Sequence, residues 1–248
     1  MAKELFIGKP NNTAKKPSKI LVGNSNNIAK EVKSIFVGNS SNKAVKVFPN
    51  FPDIYQKCEY ILNSNGTEYI NTNVKPNSDT RIYLEFELAN DNQNKLFGAL
   101  VTSWTDAYGV TISSNNPRLI YGAFNQSYNS FIIGTASLNT RLKLDFNKPG
   151  GYFYLNGTLV YTSTNTFSNT ENKGLVLFGW YDSSTIYAST TRMRVYHFQA
   201  WQGGVMIRDM YPCYLKSNTQ TVGMYDVANG VFYGNSGTGI FYKGPDVN

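Results

Sequence analysis

The sequence predicts an all-β protein, a two-sheet antiparallel sandwich with a small N-terminal β-repeat segment ahead of it. Three observations carry that prediction. The chain is 15% aromatic and only 16% charged, with 18 Tyr and 21 Gly in 248 residues, which favours many strands and turns. No stretch keeps apolar residues at helical spacing for three turns, whereas alternation with a period of two recurs along the body. A short apolar phrase is also repeated three times at the start of the chain, the mark of small units that bury little alone.

The repeat comes first. Phe6-Ile7-Gly8, Leu21-Val22-Gly23 and Phe36-Val37-Gly38 recur with a period of fifteen, followed six residues later by Ala14, Ala29 and Ala44. Each copy reads as an apolar strand, a Gly/Asn/Ser turn and a lysine-bearing return strand. Residues 1–50 hold nine Lys and two Glu, while the remainder holds fourteen basic and fourteen acidic residues. The formal charge of +7 therefore belongs to the repeats. This divides the chain into a basic arm, 1–50, and a neutral aromatic body, 51–248, joined through Phe48-Pro49-Asn50-Phe51-Pro52, where proline stiffens the joint. Lys9, Lys15, Lys16, Lys19, Lys30, Lys33, Lys43 and Lys46 make the arm a candidate anchor on an acidic protein surface. Lysine on return strands guards edges against aggregation and leaves the backbone open to sheet addition. Phosphate contacts by lysine would also suit nucleic acid. Against that, the arm has no Arg, and Phe6, Phe36 and Phe48 fall at strand positions that a small sheet buries.

In the body, Ile82, Leu84, Phe86 and Leu88 alternate with Arg81, Tyr83, Glu85 and Glu87, which predicts a half-buried antiparallel strand over 81–88. Arg141 to Phe146 repeats the pattern. Tyr152 to Leu155 runs through Asn156-Gly157 into Thr158 to Tyr161, a tight hairpin. Further strands are expected over 96–100, 108–112, 118–124, 130–133, 175–180 and 192–201. Many short strands without intervening helices imply a two-sheet sandwich or jelly roll.

Met1-Ala2-Lys3-Glu4 leads into no apolar run long enough for a signal core or a membrane span, so a soluble product made in the cytoplasm is expected, with no membrane partner. Two cysteines, Cys58 and Cys213, are too few for a disulfide framework; free thiols are the simpler reading, and a bond between them stays open.

Catalytic patterns are sparse. Glu85 and Glu87 share a strand face roughly 7 Å apart, a distance that suits glycoside hydrolysis. They lack the third acidic position of laminarinase-type sandwiches, and paired strand carboxylates are usually solvated. The one histidine, His197, lies in an expected core strand without a G-x-S-x-G elbow and reads as a hydrogen-bonded strand residue. No Cys/His spacing or Asp-rich loop calls for a metal. The expectation is a protein with no catalytic residues, no metal and no cofactor. For sugar binding, rings stack on pyranose faces while Asn, Asp and Gln meet hydroxyls. Trp104, Asp106 and Tyr108 in one segment, and Trp180, Tyr181 and Asp182 in another, carry both kinds of residue and are the candidate glycan site. Trp and Tyr also fill sandwich cores, which is the competing explanation.

The ends of the body carry a resemblance. Glu59-Tyr60-Ile61 and Gly66-Thr67-Glu68-Tyr69-Ile70-Asn71-Thr72 open it; Gly223-Met224-Tyr225-Asp226, Asn229, Phe232-Tyr233, Asn235 and Gly237-Thr238-Gly239 close it. Between them stand Tyr154-Leu155-Asn156-Gly157, Leu177-Phe178-Gly179 and Arg208-Asp209-Met210-Tyr211-Pro212. In this order they resemble the concanavalin A-like, laminin-G-like jelly-roll domains of bacteriophage structural proteins, which short basic repeats also precede. Glu68, Asn71 and Asn73 stand where that family usually has Gln, Asp and Gly. The resemblance implies a scaffold in a virion, assembled in the cytoplasm of a host bacterium, in a tail, baseplate or head fibre. It implies no reaction. Other virion proteins bound through residues 1–50 are the expected partners, with a homo-oligomer expected and a host surface glycan as the alternative ligand. A glycan hydrolase is the third reading.

Overall fold

A computed structural model describes residues 21–23, 29–31, 35–38, 44–48, 51–64, 66–90, 94–100, 107–113, 118–126, 130–167, 173–182 and 184–247. It separates into two compact units, Met1–Asn50 and Phe51–Asn248. In the first, β1 (Leu21–Gly23) pairs antiparallel with β2 (Ala29–Glu31), and β3 (Ile35–Gly38) with β4 (Ala44–Phe48). Gly23 faces Ala29 in one hairpin and Gly38 faces Ala44 in the other. The fifteen-residue period is thus the period of a hairpin. The first copy, Phe6 to Ala14, lies outside the described residues.

The second unit continues with β5 (Tyr55–Lys57), β6 (Ile61–Leu62), β7 (Ile70–Asn71), β8 (Arg81–Leu88), β9 (Asn94–Leu100), β10 (Ala107–Ile112), β11 (Arg118–Gln126) and β12 (Phe131–Ala136). Then follow β13 (Arg141–Lys148), β14 (Tyr152–Leu155), β15 (Thr158–Thr162), β16 (Val176–Leu177), β17 (Gly179–Asp182), β18 (Thr185–Ala188), β19 (Met193–Gln202), β20 (Val205–Leu215), β21 (Asn218–Asp226), β22 (Val231–Gly234) and β23 (Tyr242–Lys243). The larger sheet runs β15-β14-β13-β8-β19-β20-β21-β22, with β5, β6 and β23 attached; the smaller runs β12-β11-β10-β9-β16-β7, with the β17–β18 hairpin beside β9. This is an all-β two-sheet sandwich, without a helix among the described residues.

Alternation builds the core. Ile82, Leu84, Phe86 and Leu88 of β8 are fully buried, and their neighbours across the ladder are Phe146, Leu144 and Leu142 on β13 and Ala200, Phe198 and Val195 on β19. Phe146 sits where the sheets meet. Its ring lies 4.7 Å from Phe153 on the same sheet, and 5.6, 5.1 and 6.4 Å from Phe97, Tyr108 and Phe124 of the opposite one. Edge-to-face contacts of this kind add to area burial.

Two expectations need correction. The strand over 175–180 is interrupted at Phe178, which adopts φ 63° with a fully buried ring. The chain reverses its relation to β9 there, since β16 is antiparallel to β9 and β17 parallel to it. That makes β9–β17 a parallel pairing in an otherwise antiparallel set of strand pairs among the described residues. The carboxylates of β8 also depart from expectation: Glu85 and Glu87 are 8% and 9% exposed, because arginines and a tyrosine from neighbouring strands lie over them.

The two ends of the body fasten to each other. The Tyr69 amide donates to Asn235 Oδ1 (3.1 Å), and the Ser236 amide to the Tyr69 carbonyl (2.8 Å). Asn235 also accepts from the Gly237 amide and donates to the Gly239 carbonyl. A side chain at Gly237 would overlap the Thr67 carbonyl. Asp226, fully buried, accepts from the amides of Asp209 and Ala228 (both 2.9 Å) and from Asn229 Nδ2 (2.7 Å), with Arg208 Nε 3.7 Å away. The opening and closing phrases singled out in the sequence therefore form a clasp, and their work is structural.

Candidate functional site

The outer face of the larger sheet is where chemistry collects. Period-two alternation places Arg81, Tyr83, Glu85 and Glu87 of β8 outward, beside Arg141, Lys143 and Asp145 of β13. On β19 the register slips between Val195 and His197, so one step on β8 faces two on β19. A bulge of this kind re-aims side chains. Here it leaves Tyr196 free to cover Glu87, to whose Oε2 its hydroxyl donates at 2.7 Å, while His197 stands opposite Glu85. Arg194 pairs with Glu87, and Arg141 with Glu85 at 2.9 Å. The Arg141 guanidinium also lies 3.8 Å over the Tyr196 ring. Each carboxylate is thus an acceptor already engaged by a guanidinium.

His197 Nε2 is 2.8 Å from Asp209 Oδ1, which also accepts from Gln199 Nε2 at 3.0 Å. The imidazole stacks on Tyr211 with ring centres 4.3 Å apart, and the edge of Tyr83 meets it at 5.8 Å. Burial, followed by the Asp209 charge and a hydrogen bond to that carboxylate, pushes the Tyr211 phenol up to about 12, so it stays protonated. Asp209 in turn is anchored by its amide on Asp226. The clasp thereby positions Asp209, and Asp209 positions His197, Gln199 and Tyr211.

These groups border an open pocket of about 310 Å³ lined by Lys57, Cys58, Glu59, Glu85, Arg141, Tyr196, His197, Tyr211, Pro212 and Val247. The Cys58 thiol that lines it is held in its neutral form. Burial pushes Cys58 up to about 12, overriding the lowering influence of the Gly244 backbone and of Lys243. Burial and the neighbouring Cys58 raise Cys213 as well. Both cysteines are free. At pH 8 the native protein should therefore react with a thiol-directed disulfide reagent about a thousandfold more slowly at Cys58 than an unperturbed thiol does, with two thiols per chain released on denaturation. Prompt labelling of the folded protein would contradict this placement. Among the described residues no group of three His, Cys, Asp or Glu is arranged to hold a metal ion, and no helix is long and apolar enough to cross a membrane.

The described parts of the two candidate sugar segments lie on the smaller sheet, with β10 and β17 flanking β9. Tyr108 points into the core, fully buried, with its hydroxyl donating to the Thr80 carbonyl at 2.7 Å; its ring presents nothing to a ligand. Trp180 is 2% exposed and packs with Ala107 and Ala123, its ring filling the space that Gly98 leaves. It behaves as filling for an outer face of small residues. Substituting Gly98 by alanine puts a methyl group into that ring and should cost about 1–3 kcal/mol in urea unfolding; an unchanged midpoint would show that Trp180 is not held there. Tyr181 is half-buried, with Lys173 Nζ 5.1 Å over its ring. Trp104 and Asp106 lie outside the described residues, as does the side chain of Asp182. Of the arm lysines, Lys30 falls on β2 and Lys46 on β4; Lys9, Lys15, Lys16, Lys19, Lys33 and Lys43 lie outside the described residues.

Sequence reasoning named Glu85, Glu87 and His197 but not their organisers, Asp209, Tyr211, Arg141 and Lys57. It placed Arg141 only as the start of a strand, and Asp209 and Tyr211 only within the Arg208-Asp209-Met210-Tyr211-Pro212 phrase.

No family model matches the chain, and no curated protein matches it either. Among solved structures it is similar to one titled a "putative carbohydrate binding protein" from Bacteroides ovatus, at 13% identity and a TM-score of 0.48, over 77% of this chain. The match spans 62% of that protein's length.

Proposed function

We propose that the chain is a non-enzymatic structural protein of a bacteriophage particle, held to other particle proteins by its basic hairpin arm and displaying the sandwich body at the surface. The observation that carries this reading is the repeated hairpin, Gly23 against Ala29 and Gly38 against Ala44, in a segment that holds all of the net charge. Short basic hairpins in tandem present edges and lysines for docking and enclose no site of their own. The absence of a catalytic role is supported by the engagement of Glu85 and Glu87 with arginines and by the raised, unreactive thiol beside His197. In a lysate that yields phage particles encoding this chain, the protein should band with the particles in a density gradient. Recovery in the soluble fraction alone would refute the reading. Receptor binding by the body is the second reading, favoured by the pocket on the outer face of the larger sheet.

A further inference from the structure

Lys57 is the one residue of the pocket whose charge is left unanswered. Its ammonium lies 5.0 Å from the centre of the Phe51 ring and 5.3 Å from that of Tyr211, and no acidic side chain among the described residues pairs with it. Arg141, across the pocket, is by contrast held by Glu85 at 2.9 Å and by Glu59 at 3.8 Å. The rings hold the partly exposed Lys57 in place by cation–π attraction without neutralising it. An incoming anion would supply the missing counter-charge.

The rest of the lining narrows the anion. Glu59 and Glu85, both turned to Arg141, line the same pocket and keep further acceptor lone pairs, and His197 has one ring nitrogen committed to Asp209. The Asp209 carboxylate can only accept, so Nε2 donates to it and Nδ1 is the ring nitrogen left for a ligand. A site for sulfate or fully ionised phosphate, which bring no hydrogen-bond donors, would not line the pocket of its lysine with two carboxylates. A molecule with one carboxylate and several hydroxyl donors satisfies both halves, and about 310 Å³ suits a one- or two-ring ligand.

We infer that this pocket is a binding site for an acidic sugar, its carboxylate on Lys57 and its hydroxyls on Glu59, Glu85 and His197. The inference rests on the second, receptor-binding reading above and is independent of how the arm attaches. It lies on the larger sheet, on residues other than Trp104, Trp180 and their neighbours.

The test is calorimetric titration of the full-length chain with galacturonate and with 3′-sialyllactose, each against its uncharged counterpart, galacturonate methyl ester and lactose. Saturable binding of either acidic probe is expected, at least tenfold tighter than its neutral partner, weakened at least tenfold by Lys57→Gln and restored by Lys57→Arg. Lys57 is partly exposed, so both variants should keep the wild-type melting temperature. Equal binding of acidic and neutral probes, no saturable binding of either acidic probe, or an unaffected Lys57→Gln protein would overturn the inference. The same Lys57→Gln protein should still band with particles, which separates failure of this site from failure of the anchoring reading.

Discussion

Replacing Asp226 by alanine is expected to destabilise the body by about 3–5 kcal/mol, the range for removing one partner from a buried charged network. The carboxylate is fully buried and accepts three hydrogen bonds, from the amides of Asp209 and Ala228 and from Asn229, while facing Arg208. Alanine would orphan those donors and leave Arg208 without its counter-charge. Since domain stabilities lie at about 5–15 kcal/mol, the variant should unfold at far lower urea than wild type. Asp226→Asn keeps one acceptor oxygen and should lose less. Urea denaturation followed by circular dichroism separates the two; equal, small losses would mean that the turn holds itself without the carboxylate.

The second large effect is expected at Phe146. Its ring meets Phe97, Tyr108 and Phe124 across the sandwich and Phe153 beside it. Phe146→Ala should cost about 3–5 kcal/mol through lost transfer energy and the cavity left between the sheets. Phe146→Leu, which refills much of the volume, should recover a good part of it. A loss below about 1 kcal/mol for alanine would indicate that the sheets are not joined through this ring.

What could be read from the chain follows from how local its causes are. Strand β8 was legible to the residue because its alternation is uninterrupted from Arg81 to Leu88. The β14–β15 turn was legible because Asn156 and Gly157 both take positive φ, 52° and 81°, which those residues adopt most readily. Strands β20 and β21 were not delineated: Pro212 interrupts the first, and the polar start of the second, Asn218-Thr219-Gln220-Thr221, hides its apolar half. The break at Phe178 was invisible because Leu175 to Trp180 is uniformly apolar apart from glycine, and only pairing with two different partners reverses the chain there.

The site was less legible still. Burial of Glu85 depends on Arg141, and burial of Glu87 on Arg194 and a tyrosine brought over by a bulge, none of which is encoded within a strand's length of either carboxylate. His197 reads locally as a core-strand residue, yet the same bulge turns it outward onto Asp209, twelve positions away. Lys57 gains its setting from Phe51 at the joint and Tyr211 on β20. Tyr108 and Trp180 are buried for different reasons, neither visible in their segments: Tyr108 packs between the sheets, and Trp180 fills the space that Gly98 leaves beside Ala107 and Ala123.

Attachment through the arm is tested most directly by capture of particle proteins on two immobilised forms, the full chain and residues 51–248, at low and high salt, with the melting transition of each form checked first. The full chain should retain a particle protein that the shorter form does not, and the retention should weaken as salt rises, as expected for a contact with nine lysines behind it. Equal capture by both forms, or capture of nucleic acid alone by the full chain, would contradict the assignment of the arm as the anchor.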